Sequence, residues 1–169
     1  MNTGIKNQPK AHITLDLYDR IIEIIGLLSL IVLFALPVYY YSVLPDEIPR
    51  HFNGLGEVNA YSSKKVIWIL PFLGTLLYVG LFFMNKVPHI FNYPIKVTQE
   101  NYKNLYKYAT KQIRVLNTEV ILIFLYITYT IIQIGLGIKI GMSLYFLPIV
   151  LVLIIATSVY YYFKMTKIK

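Results

Sequence analysis

One histidine with carboxylates close to it in sequence is the strongest candidate for chemistry in this chain. His51 stands near Asp46, Glu47, Asn53 and Glu57, a set that could supply a general base or a metal ligand. The spacing matches no established metal motif, and no second histidine lies nearby. Two other interpretations stay open: a structural cap held by hydrogen bonds to loop backbone, and a surface that recognises a ligand or peptide. We predict no catalytic residue, no metal site and no cofactor.

The stretch around His51 has the residues of an ordered loop. Pro45 and Pro49 fix their own backbone angles, while Gly54 and Gly56 permit turns that other residues resist. We therefore predict a structured loop whose side chains form a ligand-binding surface. The candidate residues are Asp46, His51, Phe52, Asn53, Glu57, Asn59, Tyr61 and Lys64.

The elements that must position this loop are membrane spans. Hydrophobic residues make up 57% of the 169 residues, against about 45–50% in soluble domains. Four apolar runs, at about 21–43, 66–84, 120–138 and 144–163, have the roughly 20 residues that a spanning helix needs. Lipid offers no hydrogen-bond partners, so the backbone N–H and C=O groups of these runs must bond to one another within helices. The sequence thus predicts an all-α membrane protein with four transmembrane helices, and the lack of cysteine excludes disulfides.

The basic residues divide unequally between the two sides of such a bundle. Twelve of the sixteen lysines and arginines precede the first span, follow the fourth, or lie between the second and third. By the positive-inside rule, both termini are then cytoplasmic and the loop at 44–65 faces outward. We predict a cytoplasmic arm at 1–20, a membrane domain at 21–163, a cytoplasmic segment at 85–118, and a basic tail at 164–169. The predicted location is the bacterial cytoplasmic membrane.

The cytoplasmic segment contains a predicted basic amphipathic helix that continues into the third span. Apolar residues recur in steps of three and four from Tyr102 to Val120, and basic residues follow another face. This face could contact anionic lipid or dock a cytoplasmic partner, whereas direct nucleic-acid binding is disfavoured because the basic face is short. The predicted contact residues are Lys103, Lys107, Lys111 and Arg114.

Charged residues and prolines within the spans are few. Glu23 and Glu119 lie near cytoplasmic ends, where Arg20, Lys111 or Arg114 could neutralise them. No row of intramembrane acids suggests an ion path, which disfavours a transporter. Three span prolines are either tolerated near helix ends or kink the helices to open an outward cavity under the loop. They are Pro37, Pro71 and Pro148.

The loop motif resembles a known family. The order Leu-Pro-x-x-Ile-Pro-x-His-Phe-Asn-x-x-Gly-Glu-x-x-x-Tyr-x-Ser-Lys, from Leu44 to Lys64, resembles a bacterial membrane domain of unknown function. That domain is also found at the N-terminus of the sporulation-delaying-protein immunity family. The stretch FNYPIKVTQENYKNLY, from Phe91 to Tyr106, is similar to the cytoplasmic segment of the family.

The resemblance implies a multi-pass membrane protein that protects against, or senses, a membrane-active peptide outside the cell. It also implies signalling to a regulatory protein inside the cell for some members, and oligomers are compatible with it. We therefore expect a non-enzymatic protein of peptide-toxin immunity or sensing. The alternative is a membrane-bound metal-dependent enzyme that uses His51.

Overall fold

Four helices are long and apolar enough to cross a membrane, which confirms the predicted spans. The computed structural model describes residues 8–168, so predictions that concern Lys6, Lys169 and the rest of residues 1–7 lie outside the described part. The elements, in chain order, are α1 Leu17–Tyr40, β1 Glu47–Phe52, β2 Val58–Ser63, α2 Ile69–Met84, α3 Tyr102–Gly135 and α4 Phe146–Thr166. Short 3₁₀ helices lie at Lys64–Trp68 and Pro88–Ile90.

The all-α prediction is right for the spans but incomplete for residues 44–65. This segment contains an antiparallel hairpin of β1 and β2. The alternation expected of strands is hard to recognise in the sequence, because Pro49 lies in β1 and the pairing is irregular on both sides of His51.

The chain crosses the bundle in alternating directions, so its connections collect at two ends. We call one the hairpin end, formed by the hairpin (47–63) and the α3–α4 connection (136–145). We call the other the basic end, formed by the arm at residues 8–16 and the α2–α3 connection (85–101). Ten of the fourteen lysines and arginines within residues 8–168 belong to the basic side of this division.

Helix α3 lies at the centre and packs against the other three helices and β1. Three successive residues of α3 each bond to a different helix. The Asn117 amide donates to the Tyr78 carbonyl of α2 at 3.1 Å, and the Thr118 hydroxyl donates to the Ile22 carbonyl of α1 at 3.1 Å. The Glu119 carboxylate accepts from the Thr157 hydroxyl of α4 at 2.6 Å. Successive helical residues point about 100° apart, so one turn of α3 reaches three neighbours.

The first turns of α3 pack against other segments of the same chain. Leu105, Tyr106 and Ala109 are buried in a cluster with apolar residues of the arm, the α2–α3 connection and the end of α4. The Tyr106 hydroxyl also donates to the Pro9 carbonyl at 3.0 Å. The apolar face of the predicted amphipathic helix is therefore covered by protein.

A glycine allows α1 to approach α2 and α3 closely. A Cβ at Gly26 would lie 2.8 Å from the Thr118 hydroxyl oxygen and 3.1 Å from the Tyr78 ring. Both distances are shorter than ordinary carbon contacts, and both residues belong to the bonds that join the helices. A small residue is thus required where these helices meet, as is common in membrane bundles.

We predict that Gly26→Ala destabilises the bundle by about 1–3 kcal/mol, because the added methyl group forces α1 away from Thr118 and Tyr78. Gly80→Ala is the matched control, since a Cβ at Gly80 meets no atom within 4 Å. Unfolding of the two variants in the same detergent is the measurement. Equal stability of both variants would contradict the close packing at Gly26.

Candidate functional site

The hairpin brings His51 and Asn59 together through irregular pairing. Pro49 pairs with Tyr61 and His51 with Ala60, so Arg50 is an extra residue in β1, and Asn59 is an extra residue in β2 between Val58 and Ala60. Such bulges redirect side chains. His51 Nδ1 lies 2.6 Å from Asn59 Oδ1 in an exposed hydrogen bond. The histidine is thus paired with an amide and not with a carboxylate.

Asn53 organises the turn of the hairpin. Its side-chain oxygen accepts from the backbone N–H groups of Leu55 and Glu57, at 2.9 and 3.0 Å, and its amide donates to the Glu57 carboxylate at 2.7 Å. Gly56 follows with φ of 83°, in the left-handed region that glycine adopts without strain. Asn53 therefore has a structural role that a ligand-binding assignment alone would miss.

The hairpin is held to the bundle at its base and at its tip. At the base, the Lys64 ammonium contacts the Asp46 carboxylate at 3.3 Å and donates to the Leu44 carbonyl at 3.2 Å. At the tip, the Met142 N–H donates to the Gly56 carbonyl at 2.8 Å. Between these points, Leu44 and Ile48 are buried against the end of α3. The predicted ordered loop is present in the structure as a fixed cap.

A cavity of about 580 Å³ lies beneath this cap. Its roof is the hairpin from Pro49 to Gly54, together with Ser62. Its walls come from the first turns of α2, the last turns of α3 and the start of α4, and are mainly apolar. The wall residues are Val66, Ile69, Leu70, Ile127, Ile131, Met142, Phe146 and Leu147. The volume is in the range of pockets that bind small molecules.

The predicted ligand-binding residues divide into two groups. His51, Phe52 and Asn53 line the cavity, whereas the other five candidates do not. The five are Asp46, Glu57, Asn59, Tyr61 and Lys64. Asn59 lines a shallower depression beside His51, and Tyr61 is exposed. The apolar wall residues were not among the predicted site residues, because they look like ordinary span residues in the sequence.

The cavity does not depend on the three span prolines, none of which lines it. Pro37 lies inside α1, which continues to Tyr40, and Pro71 and Pro148 stand in the first turns of α2 and α4. Prolines in a first turn remove no intrahelical bond. A cavity under the loop was one of the two alternatives, but it is formed by the hairpin above the gap between α2 and α4.

The chemistry available at the cavity is recognition by shape and by a few polar groups. Within residues 8–168, no group of three or more histidine, aspartate or glutamate side chains is placed to hold a metal ion. Asp46 is paired with Lys64 and Glu57 with Asn53, so neither carboxylate bonds to His51. The polar side chains at the roof are those of Arg50, His51, Asn53 and Ser62.

The predicted contact residues at the basic end also divide. Lys103 and Lys107 are exposed, but Lys111 and Arg114 are buried against α1. Lys111 donates to both oxygens of Asp16, at 2.8 and 2.7 Å, and these bonds hold the pKa of the Asp16 carboxyl well below its ordinary value. Lys111 is therefore a structural ion-pair residue and is poorly placed to contact lipid or a partner.

Arg114 joins two acids of α1, the buried Asp19 and the half-buried Glu23. Its Nε donates to Glu23 at 2.8 Å, and its Nη1 lies 3.4 Å from the Asp19 carboxylate. The expected neutralisation of Glu23 is thus found, with Arg114 as its partner. Glu119 is different: its hydrogen-bond partner is Thr157 and not one of the three basic residues considered from the sequence.

A comparison with known protein families finds a match to the part of the chain that contains the hairpin. Residues 28–75 match a domain of unknown function, DUF1648. This stretch includes most of α1, the whole hairpin and the first turns of α2, so the match agrees with a membrane domain of unknown function. No curated protein and no solved structure matches the chain.

We predict that Arg114→Met destabilises the protein by about 3 kcal/mol, because the half-buried Glu23 would lose its guanidinium partner and the buried Asp19 would keep only its contact with Lys111. Lys103→Met is the control: it removes an exposed cation from the same helix and should change stability by less than about 0.5 kcal/mol. The free energy of unfolding of the purified variants is compared. Similar losses in both would mean that the ion pairs to Arg114 contribute little.

Proposed function

We propose that this protein binds a membrane-active peptide in the cavity beneath the hairpin, and that it serves peptide-toxin immunity or sensing without being an enzyme. The cavity is the observation on which the proposal depends. An apolar chamber under a fixed polar cap suits a ligand with an apolar body and a polar end. Pairing of His51 with Asn59, and not with an acid, favours recognition over catalysis.

The side of the cavity opposite α3 is the natural route for such a ligand. Helices α2 and α4 both pack on α3 and make little contact with each other. The space between their first turns therefore opens towards the surrounding lipid. A peptide already dissolved in the membrane could enter sideways and place an apolar side chain against Ile131 and Leu147. Its polar atoms would meet Arg50 and His51 at the roof.

Protection then has a simple physical basis. A peptide held in the cavity is removed from the population that can assemble in the bilayer, and binding energy comes mainly from the apolar surface that it buries. The cap contributes selectivity, because its polar groups need partners when water is displaced. The fixed base and tip of the hairpin keep this arrangement preorganised, which lowers the entropy cost of binding.

The proposal needs the cavity to face the outside of the cell. The charge asymmetry favours that orientation, since the basic end would lie in the cytoplasm and the hairpin end outside. A ligand secreted by neighbouring cells would then reach the hairpin end first. The proposed setting is the bacterial cytoplasmic membrane, with both termini inside.

We predict that single cysteines at Asn53 and Lys103 label from opposite sides of the membrane. The chain has no natural cysteine, so each substituted thiol is the sole target. A membrane-impermeant maleimide applied to intact cells should label position 53, and position 103 should react only after permeabilisation. Labelling of 103 but not 53 in intact cells would reverse the orientation.

Sensing, as distinct from protection, would use the continuity of α3. This helix runs unbroken from Tyr102 to Gly135, about 50 Å, and contributes Ile127 and Ile131 to the cavity. A ligand that prefers one position of α3 would shift the population of that position at the basic end, by as much as its affinities for the states differ. We propose that Lys103 and Lys107 there contact a regulatory protein.

We predict that Leu147→Trp abolishes binding and protection by filling the cavity. Cells that express this variant should need about tenfold less membrane-active peptide to be killed than cells with the unaltered protein. Leu151→Trp is the control, because Leu147 and Leu151 lie on α4 with similar exposure, 49% and 51%, and only Leu147 lines the cavity. Survival and crosslinking of a photoreactive peptide are measured.

Two outcomes would count against the immunity proposal. One is that both tryptophan variants protect as well as the unaltered protein, which would mean that the cavity is not used. The other is that expression protects against none of the peptides tested and none crosslinks to the protein. In that case a structural or enzymatic role would become the better proposal.

The sensing proposal is tested separately at the basic end. Lys103→Glu with Lys107→Glu should abolish capture of a cytoplasmic partner from the cells in which the protein is native, while protection by the cavity persists. Both side chains are exposed, and the ion pair lost, from Lys107 to Asp16 at 3.8 Å, is long and leaves Asp16 bonded to Lys111, so the fold should be retained. Lys65→Glu with Lys139→Glu changes the charge equally at the hairpin end, outside the cavity, and should leave partner capture intact. Unchanged capture by the first variant would contradict this role for α3.

A further inference from the structure

A second cavity, of about 410 Å³, lies at the basic end and differs in chemistry from the one beneath the hairpin. Its walls are the arm from Lys10 to Leu15, the end of α2 with the 3₁₀ turn that follows, and one side chain of α3. The polar residues that line it are Lys10, His12, Asn85, Lys86, His89 and Arg114. Among residues 8–168, no aspartate or glutamate lines it.

The positive charge of this cavity has a definite source. Arg114 is at its wall but already bonds to Glu23 and Asp19, so its charge is compensated within the bundle. Lys10 and Lys86 are exposed, and Lys86 lies 4.6 Å from the centre of the Phe82 ring. These two ammonium groups supply the surplus charge, and the imidazoles of His12 and His89 add hydrogen-bonding nitrogens.

The walls are held in place by contacts elsewhere in the protein. Ala11 and Ile13 of the arm pack against the buried cluster at the start of α3, and the Pro9 carbonyl accepts from Tyr106. Pro88 is buried and its carbonyl accepts from the Tyr93 hydroxyl at 2.8 Å. The basic groups therefore converge on a formed cavity and are not spread along a free tail.

Asn85 supplies an unused acceptor at the same place. Asn85 is the C-cap of α2 and lines the cavity. Its side-chain oxygen is buried without a hydrogen-bond partner among the described residues. The oxygen itself is closed off from the cavity, so the Asn85 amide must turn before a ligand hydroxyl can supply the missing hydrogen bond. The cavity thus combines cations for an anion with an acceptor for a hydroxyl group.

The depth of the cavity identifies the source of such a ligand. Asn85 and Lys86 come directly after Met84, the last residue of a membrane-spanning helix, where lipid headgroups begin. Basic pockets at this level suit the phosphates of anionic lipids. We propose that this cavity binds the headgroup of an anionic phospholipid whose phosphodiester carries a hydroxyl-bearing substituent, as in phosphatidylglycerol. Lys10 and Lys86 bind the phosphate, and a hydroxyl group donates to Asn85.

The test uses the full chain in a neutral detergent, with binding followed by native mass spectrometry and thermal unfolding. The four probes are dioleoyl phosphatidylglycerol, dioleoyl phosphatidylmethanol, dioleoyl phosphatidylethanolamine and sn-glycerol 3-phosphate. We expect phosphatidylglycerol to bind at least tenfold more tightly than phosphatidylethanolamine. We expect phosphatidylmethanol, which has the charge but no headgroup hydroxyl, to lie between them.

Two double variants separate the cavity from the general charge of this end. Lys10→Ala with Lys86→Ala should weaken phosphatidylglycerol binding at least tenfold without changing the unfolding temperature in the absence of lipid. Lys96→Ala with Lys167→Ala removes two exposed cations outside the cavity and should change binding less than twofold. Asn85→Leu should bring the affinities for phosphatidylglycerol and phosphatidylmethanol together.

Several results would overturn the proposal. Equal weakening by the two double variants would assign binding to diffuse charge, and equal affinity for phosphatidylglycerol and phosphatidylethanolamine would remove the requirement for an anion. Glycerol 3-phosphate binding as tightly as the lipid would identify a soluble phosphate as the ligand. Equal binding of phosphatidylglycerol and phosphatidylmethanol to the unaltered protein would remove the hydroxyl group and Asn85 from the site.

Discussion

The structure depends on one set of interactions: three polar side chains of α3 each bond to a different helix inside an apolar bundle. Asn117 bonds to α2, Thr118 to α1 and Glu119 to α4, although one oxygen each of Asn117 and Glu119 stays buried without a partner among the described residues. Apolar contact between helices gives little preference over lipid, so these bonds and the close approach at Gly26 define which helices are neighbours. The positions of the hairpin, the cavity and the arm all follow from this arrangement.

Structural features that depend on local composition could be predicted from the sequence. The spans follow from apolar length, and the continuation of the basic helix into the third span follows from its unbroken periodicity and lack of proline. The pairing of Glu23 with Arg114 could also be expected from the sequence, because an acid near a helix end needs a cation. Gly54 and Gly56 likewise predicted a turn, and Gly56 has the positive φ that such a turn requires.

Properties that depend on distant parts of the chain could not be predicted. The bulges at Arg50 and Asn59 conceal the strands, and only their pairing reveals that His51 meets an amide. The cavity wall joins Leu70, Ile131 and Leu147 from three helices, none of which differs in type from a lipid-facing residue. Burial of Lys111 depends on Asp16 and Asp19, which lie far away in the sequence.

If α3 tilts, the three bonds at Asn117–Glu119 are the point about which it turns. Ile131 is about 20 Å along the helix on one side of Thr118, and Lys103 is about 22 Å along it on the other. A straight rod pivoting there has two nearly equal arms, so a rotation of about 5° displaces both ends by roughly 2 Å in opposite directions. With the pivot in this position, a displacement at one end of α3 produces a displacement of about the same size at the other end. The helices stay joined at the pivot while their ends move.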